Sequence, residues 1–144
     1  MVVSGPLFDL WPKDIPADRL LPYLQRQQVP QGTHLIRQSE LSECLYFIES
    51  GQVTARLEID AARTMRLRTQ NAGTVVGEVG LFLGGRRTAS VVTEEPSTVY
   101  MLSATALQRM RMEDPALALA FHEFIVRLLA ERLTTASNML RDFQ

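Results

Sequence analysis

The chain has 144 residues, of which 46% are hydrophobic and 22% are charged, and this balance predicts one globular domain with a hydrophobic core. Its formal net charge of −1 at pH 7, with arginines scattered among acids, argues against direct nucleic-acid binding. No segment approaches the roughly 20 consecutive apolar residues of a membrane span, and the first residues do not form a signal peptide, so we expect a soluble, cytoplasmic chain.

The first part of the chain, residues 1–28, is predicted to be a helical segment with one or two short helices. Apolar residues there alternate with prolines. Pro16 fits the first turn of a helix, whereas Pro22 removes a backbone donor and bends or ends any longer helix.

Residues 29–102 carry short apolar runs separated by glycine and polar turns, which is typical of antiparallel strands. The clearest strand is residues 53–60, whose strict alternation directs four side chains toward a core: Val53, Ala55, Leu57 and Ile59. Residues 64–69 are its predicted hairpin partner. Further short strands are predicted at residues 45–48, 74–76, 89–92 and 98–102, and this spacing indicates a roll or barrel.

Residues 103–144 are predicted to be helical. Ser103 is a candidate N-cap for a helix through Arg111, and Asp114 followed by Pro115 is a strong start signal for a second helix. An apolar stripe follows at intervals of three and four residues: Leu117, Phe121, Phe124, Ile125, Leu128 and Leu133. The stripe fits packing against the roll, or a dimer or effector surface that continues through Ala136 and Leu140.

Cysteine and histidine are too sparse for a metal or thiol site. Cys44 is the single cysteine, and its apolar neighbours predict a buried small side chain rather than a nucleophile. His34 and His122 are far apart in sequence, so no metal site is expected. His122 is predicted to be a partly exposed structural residue.

Residues 76–91 combine the parts of an anion-binding site. Gly77 allows close approach of backbone to a ligand, and the residues through Leu83 form a short predicted helix whose N–H groups point at an anion. Glu78 at the helix start is an acceptor suited to a ribose hydroxyl. Arg87 can offer its fork of donors to a phosphate.

This order of Gly-Glu, short apolar helix and Arg-Thr-Ala resembles the phosphate-binding cassette of cyclic nucleotide-binding domains. Residues 85–91, Gly-Arg-Arg-Thr-Ala-Ser-Val, are most similar to cyclic nucleotide-gated and hyperpolarisation-activated channels, and also to the catabolite activator protein and protein kinase A regulatory subunits. Residues 32–40 and 45–53 resemble the first strands of the family, and the likeness covers residues 16–138.

The resemblance implies an α+β, mainly β fold, in which an antiparallel β jelly-roll (double-stranded β-helix) is flanked by N-terminal helices and two C-terminal helices. Three local departures from the family pattern are Ser39, Val76 and the turn near Asp60, which lacks the usual glycine. They concern turn geometry and leave Glu78 and Arg87 in place.

The resemblance also implies the ligand, cAMP or cGMP, with no cofactor. Glu78 would accept the ribose 2′-hydroxyl, Arg87 would pair with the cyclic phosphate, and backbone N–H groups near Gly80 and Ala89 would complete the cradle. The implied site comprises Val76, Gly77, Glu78, Val79, Gly80, Arg87, Thr88 and Ala89.

Two parts of the implied site have competing interpretations. The Thr88 hydroxyl fits a contact to the phosphate, a contact to the guanine amino group of a syn nucleotide, or a strand residue that supports the turn. Arg132, Thr135 and Ser137 on the last helix are candidates for base contacts or simply an exposed helix face.

Together these features predict a regulatory sensor that binds cAMP or cGMP and relays occupancy through the C-terminal helices, and not an enzyme, because no nucleophile, base and orienting group occur together. The alternative is a non-binding protein-interaction module with the same fold. A cupin-type metal site is not expected, because the chain lacks the histidine cluster that such a site needs.

The expected partner is an effector domain or protein, with a homodimer through the last helix as a further candidate. Residues 21–24 and 49–53 also resemble cyclic nucleotide domains of bacterial sulfate-permease-type transporters, which would place the chain on the cytosolic side of a membrane protein.

Overall fold

The computed structural model describes residues 5–142, and in it eight strands form two antiparallel four-stranded sheets. The strands are β1 (Gln25–Val29), β2 (His34–Ile36), β3 (Cys44–Ser50), β4 (Gln52–Asp60), β5 (Arg63–Asn71), β6 (Thr74–Val76), β7 (Ser90–Thr93) and β8 (Ser97–Ser103). One sheet has the order β1-β8-β3-β6 and the other has the order β2-β7-β4-β5. The α-helices are α1 (Glu78–Leu83), α2 (Ala104–Glu113) and α3 (Pro115–Asp142).

The N-terminal segment contains two 3-10 helices, Pro6–Leu10 and Ala17–Tyr23, with Pro22 inside the second. The sheets begin with Gln25 of β1, earlier than the boundary at residue 29 that the pattern predicts. Val29 is the only apolar residue of β1, so the strand has no alternation to signal it, and backbone pairing with β8 defines it instead. Residues 1–4 of the predicted segment 1–28 lie outside the described range.

The β4–β5 hairpin differs from its predicted burial. Val53 and Thr54 are both fully buried, and Ile59, predicted to face the core, is 48% exposed. The register shifts twice along the hairpin, and at the second shift, between Glu58 and Asp60, Ile59 is the extra residue on β4 and leaves the alternation. Near this bulge no element of the described residues covers the hairpin, and almost all of β5 is exposed.

The larger core lies between the β1-β8-β3-β6 sheet and the helices. The rings of Phe8, Phe47 and Phe124 stack on one another, with Phe8 and Phe124 centroids 5.2 Å apart. These aromatic contacts join the first 3-10 helix, β3 and α3 into one apolar layer.

Helix α3 has two different halves. Its apolar stripe is buried from Leu117 to Leu128, which confirms packing there, but Leu133 and Leu140 are each 68% exposed. The change occurs because no described element covers the last turns of this 28-residue helix. None of the helices within residues 5–142 combines the length and apolar character of a membrane span.

Both predicted helix starts are confirmed. The Ser103 hydroxyl accepts a hydrogen bond from the Ala106 N–H at 3.0 Å, and the Asp114 carboxylate accepts one from the Leu117 N–H at 3.2 Å. Each contact satisfies a first-turn donor that has no partner within the helix. The two C-terminal helices are therefore set by local capping signals, up to residue 142, where the described range ends.

Candidate functional site

Two glycines of the cassette, residues 76–91, lie so close to neighbouring atoms that no side chain would fit there. Gly77, the N-cap of α1, has φ 85° and ψ 3°, and a Cβ there would lie 2.9 Å from Ile36 Cδ1. A Cβ on Gly80 would lie 2.6 Å from Ser42 Oγ and 2.8 Å from Arg87 Nη1. These separations are too short for any side chain, so Gly77 and Gly80 allow the arginine to sit directly against α1.

Arg87 uses its donors on backbone carbonyls. Its Nη1 donates to the Gly77 carbonyl at 3.1 Å, and its Nη2 donates to the Cys44 carbonyl. The Cys44 sulfur lies 3.9 Å from the same Nη2, and this side chain is half-buried rather than buried as predicted, because it lies at the edge of the smaller core, beside the cassette. The guanidinium is thus held at the start of α1 by groups that a stronger acceptor, such as a phosphate, can replace.

A cavity of about 280 Å³ opens beside this arginine. One wall is the cassette, and the structure brings all eight residues of the implied site to it: Val76, Gly77, Glu78, Val79, Gly80, Arg87, Thr88 and Ala89. The facing wall comes from the hairpin, through Ala55, Arg68 and Gln70. Thr88 is exposed at the cavity and makes no hydrogen bond to another described residue.

Glu78 is buried and paired with the C-terminal helix. Its side chain is 6% exposed, and its Oε1 accepts a hydrogen bond from Arg132 Nη1. Arg132 Nη2 also donates to Thr74 Oγ1 at 3.1 Å and to the Val75 carbonyl at 2.8 Å. The arginine therefore ties α3 to both β6 and α1.

The other candidates on α3 lie elsewhere. Thr135 and Ser137 are exposed beyond Arg132, and neither lines the cavity. Arg132 reaches the cassette through Glu78 and is also absent from the cavity wall. Base contacts by these three residues stay predictions.

Three polar residues of the cavity wall lie outside the cassette and have no assigned role in the sequence interpretation: Ser42, Arg68 and Gln70. The Ser42 hydroxyl is buried without a hydrogen-bond partner, although it lies beside Gly80 and Arg87. No motif signals Ser42, which lies in the turn before β3. The hairpin register, with Ala55 opposite Arg68, is the signal that could have placed Arg68 on the cavity wall.

His122 lies at the edge of the site, on α3 next to α1. Burial, followed by the nearby Arg111 guanidinium, lowers its pKa, and Arg111 Nε donates to its Nε2 at 3.4 Å. The imidazole also meets the Phe82 ring edge-on at 5.5 Å. His122 is partly exposed, as predicted, and its structural role stays a prediction. The described residues include no cluster of His, Cys, Asp or Glu suited to a metal ion.

Sequence comparison identifies a matching family and similar proteins. Residues 26–114, more than half of the chain, match the profile of the cyclic nucleotide-binding domain. The cyclic AMP receptor protein of Thermus thermophilus is 32% identical over 100 residues, which are 69% of this chain and 45% of that protein. The human potassium/sodium hyperpolarization-activated cyclic nucleotide-gated channel 1 is 28% identical over 145 residues, which span 100% of this chain and 16% of the channel. The chain thus spans less than half the length of these relatives.

Structural comparison gives the same answer for the fold. A cyclic nucleotide-binding domain from Methylobacillus flagellatus superimposes with a TM-score of 0.77 at 23% identity, covering 88% of this chain and 71% of that one. The Thermus thermophilus catabolite activator protein superimposes with a TM-score of 0.69 at 26% identity, covering 99% of this chain and 62% of that one. These superpositions confirm the predicted β-roll with C-terminal helices.

Proposed function

The chain belongs to the cyclic nucleotide-binding domain family, and from this we propose that it is a regulatory sensor, not an enzyme, that binds cAMP or cGMP reversibly in the cavity beside α1. The observation that carries the proposal is the contact of Glu78 with Arg132. The carboxylate suited to a ribose hydroxyl is the same group that holds the C-terminal helix. The ligand and Arg132 of α3 would therefore compete for the Glu78 carboxylate.

Binding would begin with an exchange at Arg87. A cyclic phosphate is a stronger acceptor than the carbonyls of Gly77 and Cys44, so the guanidinium would turn from them to the ligand. The first turn of α1 leaves backbone N–H groups without intrahelical partners, and these complete the cradle. The Ser42 hydroxyl, buried without a hydrogen-bond partner beside Gly80 and Arg87, suits a polar group of the ligand at this point.

The relay would follow at Glu78. A ribose hydroxyl that donates to this carboxylate weakens its bond to Arg132 and so loosens α3 from β6 and α1. The exposed second half of the helix is free to respond, since no described element covers it. The ligand shifts the helix only by its different affinity for the two positions.

The direct test is calorimetric titration with cAMP and with cGMP. Arg87→Ala should weaken binding about ten- to hundredfold, since a hydrogen bond to a charged group is worth about 1.5–3 kcal/mol. Arg26→Ala, which removes an exposed arginine on β1 away from the cavity, is the matched control. Wild-type protein that binds neither nucleotide would favour the alternative, a non-binding interaction module.

A specific surface supports an interaction role beside ligand binding. Four exposed apolar residues on α3 recur at intervals of seven: Leu119, Val126, Leu133 and Leu140. An interval of seven places these residues at one position of successive heptads, on one face of the helix, and we propose that this face joins two copies of the chain in the cytoplasm or docks an effector helix. Sedimentation of Leu133→Glu, with Thr134→Glu as control, tests this: only the leucine variant should lose self-association. Equal behaviour of both variants would remove this face from the interface.

A further inference from the structure

The hydroxyl of Ser42 is a buried donor that no other group of the protein uses. The Ser42 Oγ atom is shielded from solvent and bonds to no residue in the described range 5–142, although the residue lines the cavity. A Cβ on Gly80 would lie 2.6 Å from this oxygen and 2.8 Å from Arg87 Nη1, so the hydroxyl and the guanidinium lie against the same point of α1. A buried donor without a partner destabilises the folded protein until an acceptor reaches it.

Backbone hydrogen bonds hold Ser42 in this place. The Ser42 N–H donates to the Gly85 carbonyl at 2.9 Å, and the Arg87 N–H donates to the Glu40 carbonyl at 2.7 Å. These bonds make residues 40–42 a strap that lies along the cassette. The strap fixes the hydroxyl beside Arg87 in the free protein, which lowers the entropic cost of a later contact with a ligand.

The acceptors nearest to this hydroxyl are already engaged. The carbonyls of Gly77 and Cys44 accept hydrogen bonds from the Arg87 guanidinium, and the guanidinium itself offers donors alone. An exocyclic oxygen of a cyclic phosphate is charged and accepts more than one hydrogen bond, so one such oxygen can accept from Ser42 and Arg87 together. The position of the hydroxyl beside Arg87 therefore favours the phosphate as its partner over the ribose or the base.

We propose that Ser42 is a further ligand-binding residue, whose hydroxyl donates to an exocyclic oxygen of the cyclic phosphate. The inference rests on the proposed function, because it assumes a cyclic nucleotide in the cavity. It adds a donor from outside residues 76–91, the segment to which the sequence interpretation confines phosphate binding. Because the contact is to the phosphate, its loss should affect cAMP and cGMP by the same factor.

The first experiment compares Ser42→Ala with wild type by calorimetric titration and by thermal unfolding without ligand. Ser42→Ala should weaken nucleotide binding about tenfold or more, since it removes one hydrogen bond to a charged group. Its Tm should stay unchanged or rise, because the substitution removes a hydroxyl that has no partner in the free protein. A residue with a merely structural role would show the opposite pattern.

Ser97→Ala is the matched control for that pattern. The Ser97 hydroxyl is buried and donates to the Glu95 carbonyl at 2.8 Å, and the residue does not line the cavity. Ser97→Ala should therefore lower the Tm and leave nucleotide affinity unchanged.

The second experiment uses the two phosphorothioate diastereomers of the cyclic nucleotide that binds more tightly. In each diastereomer sulfur, a weaker acceptor than oxygen, replaces one of the two exocyclic oxygens. Ser42→Ala should weaken one diastereomer about tenfold, as it does the natural nucleotide. It should weaken the other less than about threefold, because sulfur there replaces the oxygen to which Ser42 donates.

The outcomes separate this role from the proposed function. Equal losses for the two diastereomers, or unchanged affinity of Ser42→Ala for the natural nucleotide, would overturn the role of Ser42 and leave the proposed function standing. Wild-type protein that binds neither cAMP nor cGMP would overturn both.

Discussion

The ion pair between Glu78 and Arg132 should contribute measurably to stability. The Glu78 side chain is 6% exposed and the Arg132 side chain is 24% exposed. Removal of the arginine therefore leaves a buried carboxylate without its counter-charge. The loss of a hydrogen bond to a charged group costs about 1.5–3 kcal/mol, and partial access of water to Arg132 keeps the expected loss near 2 kcal/mol. Arg132→Ala should therefore lower the free energy of unfolding by that amount.

The assay is urea unfolding of Arg132→Ala, Glu78→Gln and the double variant at one protein concentration. The two single losses should not add, and the cycle should give a coupling of about 1.5 kcal/mol. With an unfolding entropy of about 2.1 cal/mol/K per residue, the single loss corresponds to a Tm decrease of about 7 °C. Arg63→Ala breaks an exposed pair with Asp60 on the hairpin and should cost only about 0.2–1 kcal/mol. A coupling below about 0.5 kcal/mol would refute the interpretation that Glu78 holds α3.

Three further predictions concern the cassette and the helices. Gly80→Ala should weaken cyclic nucleotide binding at least tenfold in calorimetry, because its Cβ would meet Ser42 Oγ at 2.6 Å, and unchanged affinity would contradict this close packing. Burial and the Arg111 guanidinium hold the pKa of His122 in the folded protein below its unfolded value of about 6.5. Protonation of His122 therefore favours unfolding as the pH falls below about 6.5, and His122→Gln should lose less stability over this range than wild type. The test is to measure the urea midpoint of both proteins between pH 7 and 5. An identical change of midpoint with pH in the two proteins would count against the prediction. Ser103→Ala should cost about 1 kcal/mol in urea unfolding through loss of the N-cap of α2, whereas no loss would show that the cap adds nothing.

Local signals made part of this structure predictable from the sequence. The two helix starts depend on a capping side chain and the residues directly after it, so Ser103 and Asp114 were sufficient. The cassette is also continuous in sequence, which is why its residues line one cavity. In each case the deciding contacts join residues close together in the chain.

Features that depend on distant contacts were not predictable. Alternation placed Ile59 toward a core, but a bulge and the absence of a covering element leave it exposed. The partner of Glu78 is 54 residues away on a helix whose path the sequence does not fix. Arg132 was a candidate for the base, whereas it contacts the carboxylate expected to bind the ribose.

The contacts of Arg87 and Glu78 explain why this site suits a switch better than a tight binder. Both charged groups already have protein partners, so under the proposed function a nucleotide would have to replace existing contacts and would gain only the difference in energy. At Arg87 the displaced acceptors are carbonyls within the roll. In the proposed exchange at Glu78 the displaced donor would be Arg132 of α3, so the step that lowers net affinity would also change the position of the helix. A variant that removes Arg132 should therefore bind nucleotide at least as well as wild type while losing the response of α3, which amide hydrogen exchange over the second half of the helix would measure.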